Sequence, residues 1–204
     1  MAKIKLTKNE LKKQKDALKM YRRYLPTLIL KKQQLQAEIR LKEIRIRELG
    51  NEKDSINESF RSWIAVFGEK GIFTTEILEI TEIKTAQGNI AGVAIPLFEG
   101  AEFKVSAYDL AKTPLWLDTA VEEMKTVFLL DLEAQILEEQ RKRLDRELRI
   151  TTQRVNLFEK IKIPETRGNI KKIQVYLGDQ QTAAVVRGKI AKRGLVKAAK
   201  GGSA

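Results

Sequence analysis

A spacing of three and four residues runs without a break through the first third of this chain. It steps through Leu11, Gln14, Leu18, Tyr21, Leu25, Leu28, Lys32, Leu35, Ile39, Lys42, Ile46, Leu49, Lys53, Ile56, Phe60, Trp63 and Phe67, and 13 of these 17 positions are apolar. Alternating steps of three and four average 3.5 residues, which holds one apolar seam towards a partner helix over many turns. The residues between seam positions are mostly Lys, Arg, Glu and Gln, good helix formers that favour water. Thr7 and Glu10 precede the seam in the order of a capping box. At 1.5 Å per residue, a helix over residues 11–67 is about 85 Å long. Such a helix must pair with something of similar length.

The partner lies later in the same chain. Trp116, Ala120, Glu123, Val127, Leu130, Ala134, Leu137, Arg141, Leu144, Leu148, Thr151, Val155 and Phe158 repeat the spacing, and ten of these 13 are apolar. Thr113-Pro114 supplies a cap candidate followed by a first-turn proline. The spacing predicts a mainly α fold, a long antiparallel two-helix coiled coil within one chain. A homodimeric coiled coil is the alternative, because seam residues do not name their partner.

Between the two series the composition changes. Gly68, Gly71, Gly88, Gly92 and Gly100 break helical phase, and residues 77–86 and 90–98 are β-rich. The pattern predicts a small β-hairpin insertion that turns at Gln87-Gly88-Asn89, with residues 102–106 as a third extended piece. An isolated hairpin is marginal in water, so this one should rest on the helices or on another protein. Trp63, Phe67 and Trp116 read as a core plug at the closed end. Pro26 and Pro164 should each kink or break a helix, at a similar height on the two helices. A helical pattern resumes after Pro164 (Ile170, Ile173, Leu177, Ala184) and weakens at Gly188 and Gly194. The expected organisation is an N-terminal long helix over 1–67, a middle segment over 68–112, a C-terminal long helix over 113–194 kinked near Pro164, and a disordered basic tail over 195–204.

Charge separates along the chain. The whole carries 39 Lys+Arg against 27 Asp+Glu, net +12. Residues 1–60 hold 16 basic and 8 acidic residues, residues 161–204 hold 10 and 2, and the middle holds 13 and 17. A chain folded back on itself would gather its two basic ends into one pole, and solvated helix faces with a basic disordered tail are the alternative. The polar candidates for a partner surface there are Lys3, Lys5, Lys8, Lys12, Lys13, Lys189, Lys192, Arg193 and Lys197.

No Cys and no His occur. That excludes disulfides, thiolate zinc and Fe–S sites, imidazole metal ligands and a Ser-His-Asp triad. No phosphate-cradling G-x-x-x-x-G-K-[ST] loop is present. The adjacent carboxylates Glu122-Glu123 and Glu138-Glu139 read as solvated helix faces rather than acid–base pairs. The expectation is a non-catalytic protein with no cofactor and no metal. The apolar runs are too short to span a membrane and the N-terminus lacks a signal-peptide core, so a cytoplasmic location is expected.

Two stretches resemble a known family. Arg154-Val-Asn-Leu-Phe-Glu-Lys-Ile-Lys-Ile-Pro164, followed by Asn169-Ile-Lys-Lys-Ile-Gln-Val-Tyr-Leu177, resembles the C-terminal helix of the D subunit of V-type and archaeal-type rotary ATPases. Leu6-Thr-Lys-Asn-Glu-Leu11 and the run from Leu25 to Leu35 resemble its opening helix, particularly in the bacterial branch. Arg154, Val155, Asn156 and Pro164 carry the more specific part of the likeness. The resemblance implies a central-stalk rotor component that couples ATP hydrolysis or synthesis to proton or sodium movement. It implies partners in the catalytic A and B subunits of the head, the small F subunit of the stalk, and the funnel-shaped C subunit above the membrane rotor ring. It also implies attachment to the cytoplasmic face of the cell membrane through the complex, without direct membrane insertion. Two other readings compete. A prefoldin-like chaperone also joins long helices through β-hairpins, but its tips need apolar rather than basic surface. A nucleic-acid-binding coiled coil would use the net charge, but the acidic middle opposes it.

Overall fold

A computed structural model describes residues 4–64, 78–106 and 116–201. The fold is mainly α. Helix α1 spans Lys8–Ile64, strands β1 (Leu78–Ile90) and β2 (Val93–Val105) form a two-stranded antiparallel sheet, and α2 spans Trp116–Asn156. A six-residue π-helical turn, Leu157–Lys162, joins α2 to α3, Ile163–Gly201. The expected boundaries near residues 67 and 113 lie outside the described residues, as do Phe67, Thr113 and Pro114. Of the expected aromatic plug, Trp116 is half-buried, and nothing further is described for the side chain of Trp63.

The chain divides into two compact units. One comprises residues 1–30 with 152–204, and the other residues 31–151. Each contains a stretch of α1 and an antiparallel stretch from the second half of the chain, so the coiled coil is intramolecular. In both units the predicted seam positions are covered, and on α2 the buried surface is wider than the seam, taking in Leu117, Val121, Leu132 and Gln140. Every described α1 seam position from Leu11 to Phe60 is buried or half-buried, and so is every position from Trp116 to Phe158.

In the unit formed by residues 31–151, Leu35, Ile39 and Leu144 pack with Ile95 of β2, and Ile90, Ala91, Val93 and Leu148 close over them. The hairpin therefore rests on the two helices. Gln140 donates from Nε2 to the Pro96 carbonyl, and Phe103 stacks on Phe128 at 6.5 Å between ring centroids. Three interhelical ion pairs flank this seam: Lys31–Glu147 at 2.7 Å, Arg45–Glu133 at 3.2 Å and Lys53–Asp131 at 2.7 Å. Each places its cation on α1 and its anion on α2.

The hairpin differs from its prediction. Gln87-Gly88-Asn89 is strand, and the turn is Ala91-Gly92, with φ of 51° and 80°. A two-residue hairpin turn with positive φ at both central residues matches the right-handed strand twist. Asn89 Oδ1 accepts from the Gly92 N–H at 2.9 Å and fixes it. Gly88 instead serves a close approach, because a Cβ there would stand 2.9 Å from Leu97 Cδ1 across the ladder. Residues 102–105 continue β2 and are not a third strand. Register shifts between Ile80 and Glu82 and between Lys84 and Thr85 carry the pairing past the unpaired Thr81 and Glu99.

In the unit formed by residues 1–30 and 152–204, α1 starts on Thr7, whose Oγ1 accepts from the Glu10 N–H at 3.3 Å. The capping box is half formed, since the Glu10 carboxylate accepts from Gln14 Nε2 at 2.9 Å. Tyr21 packs on Phe158 with centroids 5.1 Å apart. Neither proline ends a helix. Pro26 lies inside α1, exposed to water, so the Arg22 carbonyl that loses its donor can be hydrated. Pro164 follows directly on the π turn, where the Ile163 N–H donates to the Phe158 carbonyl five residues back.

The π turn also resets the seam. After Phe158 the next buried positions are Ile163 and Thr166, then half-buried Ile170, buried Ile173 and half-buried Leu177, again in steps of three and four. A plain α-helix would have put Lys162, Glu165, Asn169 and Lys172 on the seam. α3 then continues to Gly201, beyond the expected end of order near residue 194. The Ala- and Lys-rich composition after Gly188 sustains helix across Gly194.

Candidate partner-binding surface

The first unit concentrates the positive charge. Residues 1–30 and 152–204 together carry 21 Lys+Arg against 5 Asp+Glu, net +16, while residues 31–151 carry 18 against 22, net −4. The two ends of the chain share this unit because α1 runs antiparallel to α3. A groove of about 650 Å³ shows the pairing, lined by Leu6, Gly168, Lys171, Lys172, Val175 and Tyr176.

Lys5, Lys8, Lys12 and Lys13 are exposed at the start of α1, and Lys189, Lys192 and Arg193 are exposed on α3. They belong to one unit but not to one cluster. Asp179, the furthest α3 residue lining the groove beside Leu6, is ten residues short of Lys189. Ten helical residues extend about 15 Å. Lys3 lies outside the described residues, and the helical backbone of α3 carries Lys197, whose side chain is likewise outside them.

From Gly178 to Val196 every residue is exposed, so no other described element covers this stretch of α3. Its apolar residues are not hidden. Val185, Ile190 and Leu195 are 59%, 64% and 73% exposed, among Arg187, Lys189, Lys192 and Arg193. A bare helix of mixed apolar and basic character has the surface of a partner-binding segment.

The family-likeness residues divide by environment. Val155 is buried on the seam, whereas Arg154, Asn156 and Pro164 are exposed. The sequence pattern explains Val155. The exposure of the other three has no counterpart in seam packing, and no spacing signal marks them as surface.

Three of the four adjacent carboxylates accept ion pairs, whereas Glu123 is not on a solvated face: it is half-buried on the seam, and its Oε2 is buried with no hydrogen-bond partner among the described residues. Glu138 takes both Arg141 Nε at 2.8 Å and Nη2 at 2.6 Å, Glu139 takes Arg143 Nε at 2.9 Å, and Glu122 takes Lys125 Nζ at 2.6 Å. The hydrogen bond from Arg141 holds the Glu138 carboxyl below its ordinary value, and that from Arg143 does the same for Glu139. A lowered carboxyl is a poor proton donor near neutral pH. Among the described residues no group of three or more Asp and Glu could hold a metal ion, and no helix is long and apolar enough to cross a membrane.

Comparison with known proteins gives a consistent picture. The chain matches the family model for the ATP synthase D subunit over residues 10–193. It is 54% identical over 197 residues to the V-type ATP synthase D subunit of Borreliella burgdorferi, covering 97% of both chains. It is 37% identical over 201 residues to the protein of that name from Chlamydia trachomatis, covering 93% of this chain and 95% of the relative. The relative from Chlamydia pneumoniae is 36% identical over 199 residues, covering 93% and 92%. These matches lend no support to the chaperone and nucleic-acid readings.

Proposed function

This chain belongs to the ATP synthase D-subunit family, and from that premise we propose how its two units serve a rotary machine. The protein is the central-stalk rotor component of a V-type ATPase, coupling ATP turnover in the head to proton or sodium translocation. We infer that the basic unit enters the catalytic head and meets acidic surfaces of the A and B subunits. The near-neutral unit with its hairpin faces the small F subunit of the stalk and the funnel-shaped C subunit, on the membrane side. The chain contributes no catalytic site and no cofactor of its own. It sits at the cytoplasmic face of the cell membrane only through the complex.

One observation carries this orientation. The unit with net +16 ends in a helix whose residues 178–196 are all exposed. A helix with exposed valine, isoleucine and leucine needs a surrounding partner, and its charge selects an acidic one. Electrostatics of this kind guides encounter and register more than it sets final affinity. The other unit buries its seam and covers it with the hairpin, as a transmission element should.

The test is co-purification from native membranes. Recovery with large nucleotide-binding subunits and a small stalk protein is the expected result. Changing Lys189, Lys192 and Arg193 to Gln should slow assembly of the head in a salt-dependent way. Assembly at an unchanged rate would remove the basic end from the docking step.

A further inference from the structure

The π turn Leu157–Lys162 contains one residue more than the packing requires. Phe158 and Ile163 are consecutive seam positions five residues apart. Deleting one exposed residue between them, such as Lys160, would leave them four apart. A plain α-helix would then keep the whole seam of α3 in phase. Proline alone does not demand the extra residue either, because Pro26 sits inside α1 with no π turn. What the insertion adds is a widened turn with no buried residue. It holds two apolar side chains in water, Leu157 at 39% and Ile161 at 54% exposure, one turn apart on the same helix face. Arg154 and Lys160 stand exposed beside them, and neither is in an ion pair among the described residues. π turns inside α-helices occur frequently at functional sites.

We propose that the π turn is a contact knuckle on the rotor: Leu157 and Ile161 seat in an apolar depression of a surrounding protein of the head whose rim is acidic and faces Arg154 and Lys160. This rests on the reading that the basic unit is enclosed by the head. The net charge of +16 on the unit and the two exposed cations at the knuckle define the partner's chemistry. A short apolar contact with a charged rim gives position without the adhesion of a long apolar stripe, which suits a surface that must be released at each step of rotation.

The chain has no cysteine, so Leu157→Cys and Ile161→Cys each introduce a single thiol. In the purified whole complex, both thiols should react with a maleimide at least about tenfold more slowly than in the isolated chain. A smaller slowing overturns the proposal. Adding Arg154→Glu and Lys160→Glu to Leu157→Cys should restore most of the lost reactivity, and an unchanged rate shows that the rim is not acidic and overturns the stated partner. Deletion of Lys160 should leave the isolated chain's Tm within a few degrees and lower ATP-driven turnover of the reassembled complex at least threefold. Full turnover overturns the knuckle, and if the deletion variant does not fold, the thiol rates still decide. A chain that co-purifies with ATPase subunits but has unprotected thiols defeats this proposal alone. A chain that never co-purifies with them defeats the reading beneath it.

Discussion

Lys31 and Glu147 meet at 2.7 Å across 116 positions of sequence. Arg45 meets Glu133 at 3.2 Å, so 14 residues forward on α1 are matched by 14 backward on α2. The two pairs fix an antiparallel register, and in each the cation comes from α1 and the anion from α2. Both side chains of the Lys31 pair are a quarter to a third exposed. A double-mutant cycle of Lys31→Ala and Glu147→Ala should therefore return a coupling of only about 0.5 kcal/mol. Lys31→Glu alone should lower the urea midpoint, and Lys31→Glu with Glu147→Lys should recover it.

Leu144 is fully buried where both helices meet Ile95 of the hairpin. Leu144→Ala should cost about 2–5 kcal/mol of stability, because the two helices and the sheet cannot all collapse on one cavity. Chemical denaturation followed by circular dichroism measures this. Leu41→Ala, at an exposed α1 position, should stay within about 0.5 kcal/mol of the parent.

Ala91 holds a φ of 51° at the first turn position. An alanine pays a steric cost there that asparagine or glycine avoids. Ala91→Asn should stabilise the hairpin by about 0.5–1 kcal/mol. Slower amide exchange at the paired residues Ile90 and Val93 is the measurement, and faster exchange would contradict the turn assignment.

Pro26 removes one hydrogen bond from the exposed side of α1. Pro26→Ala should raise stability, by up to about 3 kcal/mol. A bend at Pro26 or Pro164 that gives the rotor eccentricity would make the double Ala variant turn over ATP with poorer coupling to rotation. Unchanged coupling confines both prolines to local helix geometry.

Glu138 has its carboxyl lowered below the ordinary 4.5, first by the Arg141 hydrogen bond. A group with a depressed folded pKa contributes stability above its unfolded value and loses it as pH falls through the folded one. Urea midpoints should thus fall as pH drops below about 4.5. Glu138→Gln should flatten that part of the profile, and an unchanged slope would show that other carboxylates dominate.

The seam was legible in the sequence because a coiled coil writes its partner face directly into the spacing. Leu11, Leu35, Leu49, Leu137 and Leu144 are covered as the pattern requires. The hairpin was legible as a β-rich pair of segments, but its turn was not. Gln87-Gly88-Asn89 has turn composition, yet Gly88 is needed for Leu97 to pack across the ladder, while Ala91 takes a φ that alanine rarely adopts. The π turn left a readable trace. Apolar positions after Phe158 fall at Ile163, Ile170, Ile173 and Leu177, one residue out of step. A reading that assumes uniform α geometry attributes that slip to Pro164. The exposed end of α3 cannot be predicted from local pattern, since its continued helix depends on summed propensity rather than on packing.

The separation of Lys31 from Glu147 has a consequence for how the protein is made. During synthesis α1 is complete when residue 64 has been added, yet its partner for Lys31 appears 83 residues later. At about 5–20 residues per second, the first helix waits roughly 4–17 s with an open apolar seam. Through that interval the nascent chain is a substrate for whatever holds unzipped helices at the ribosome.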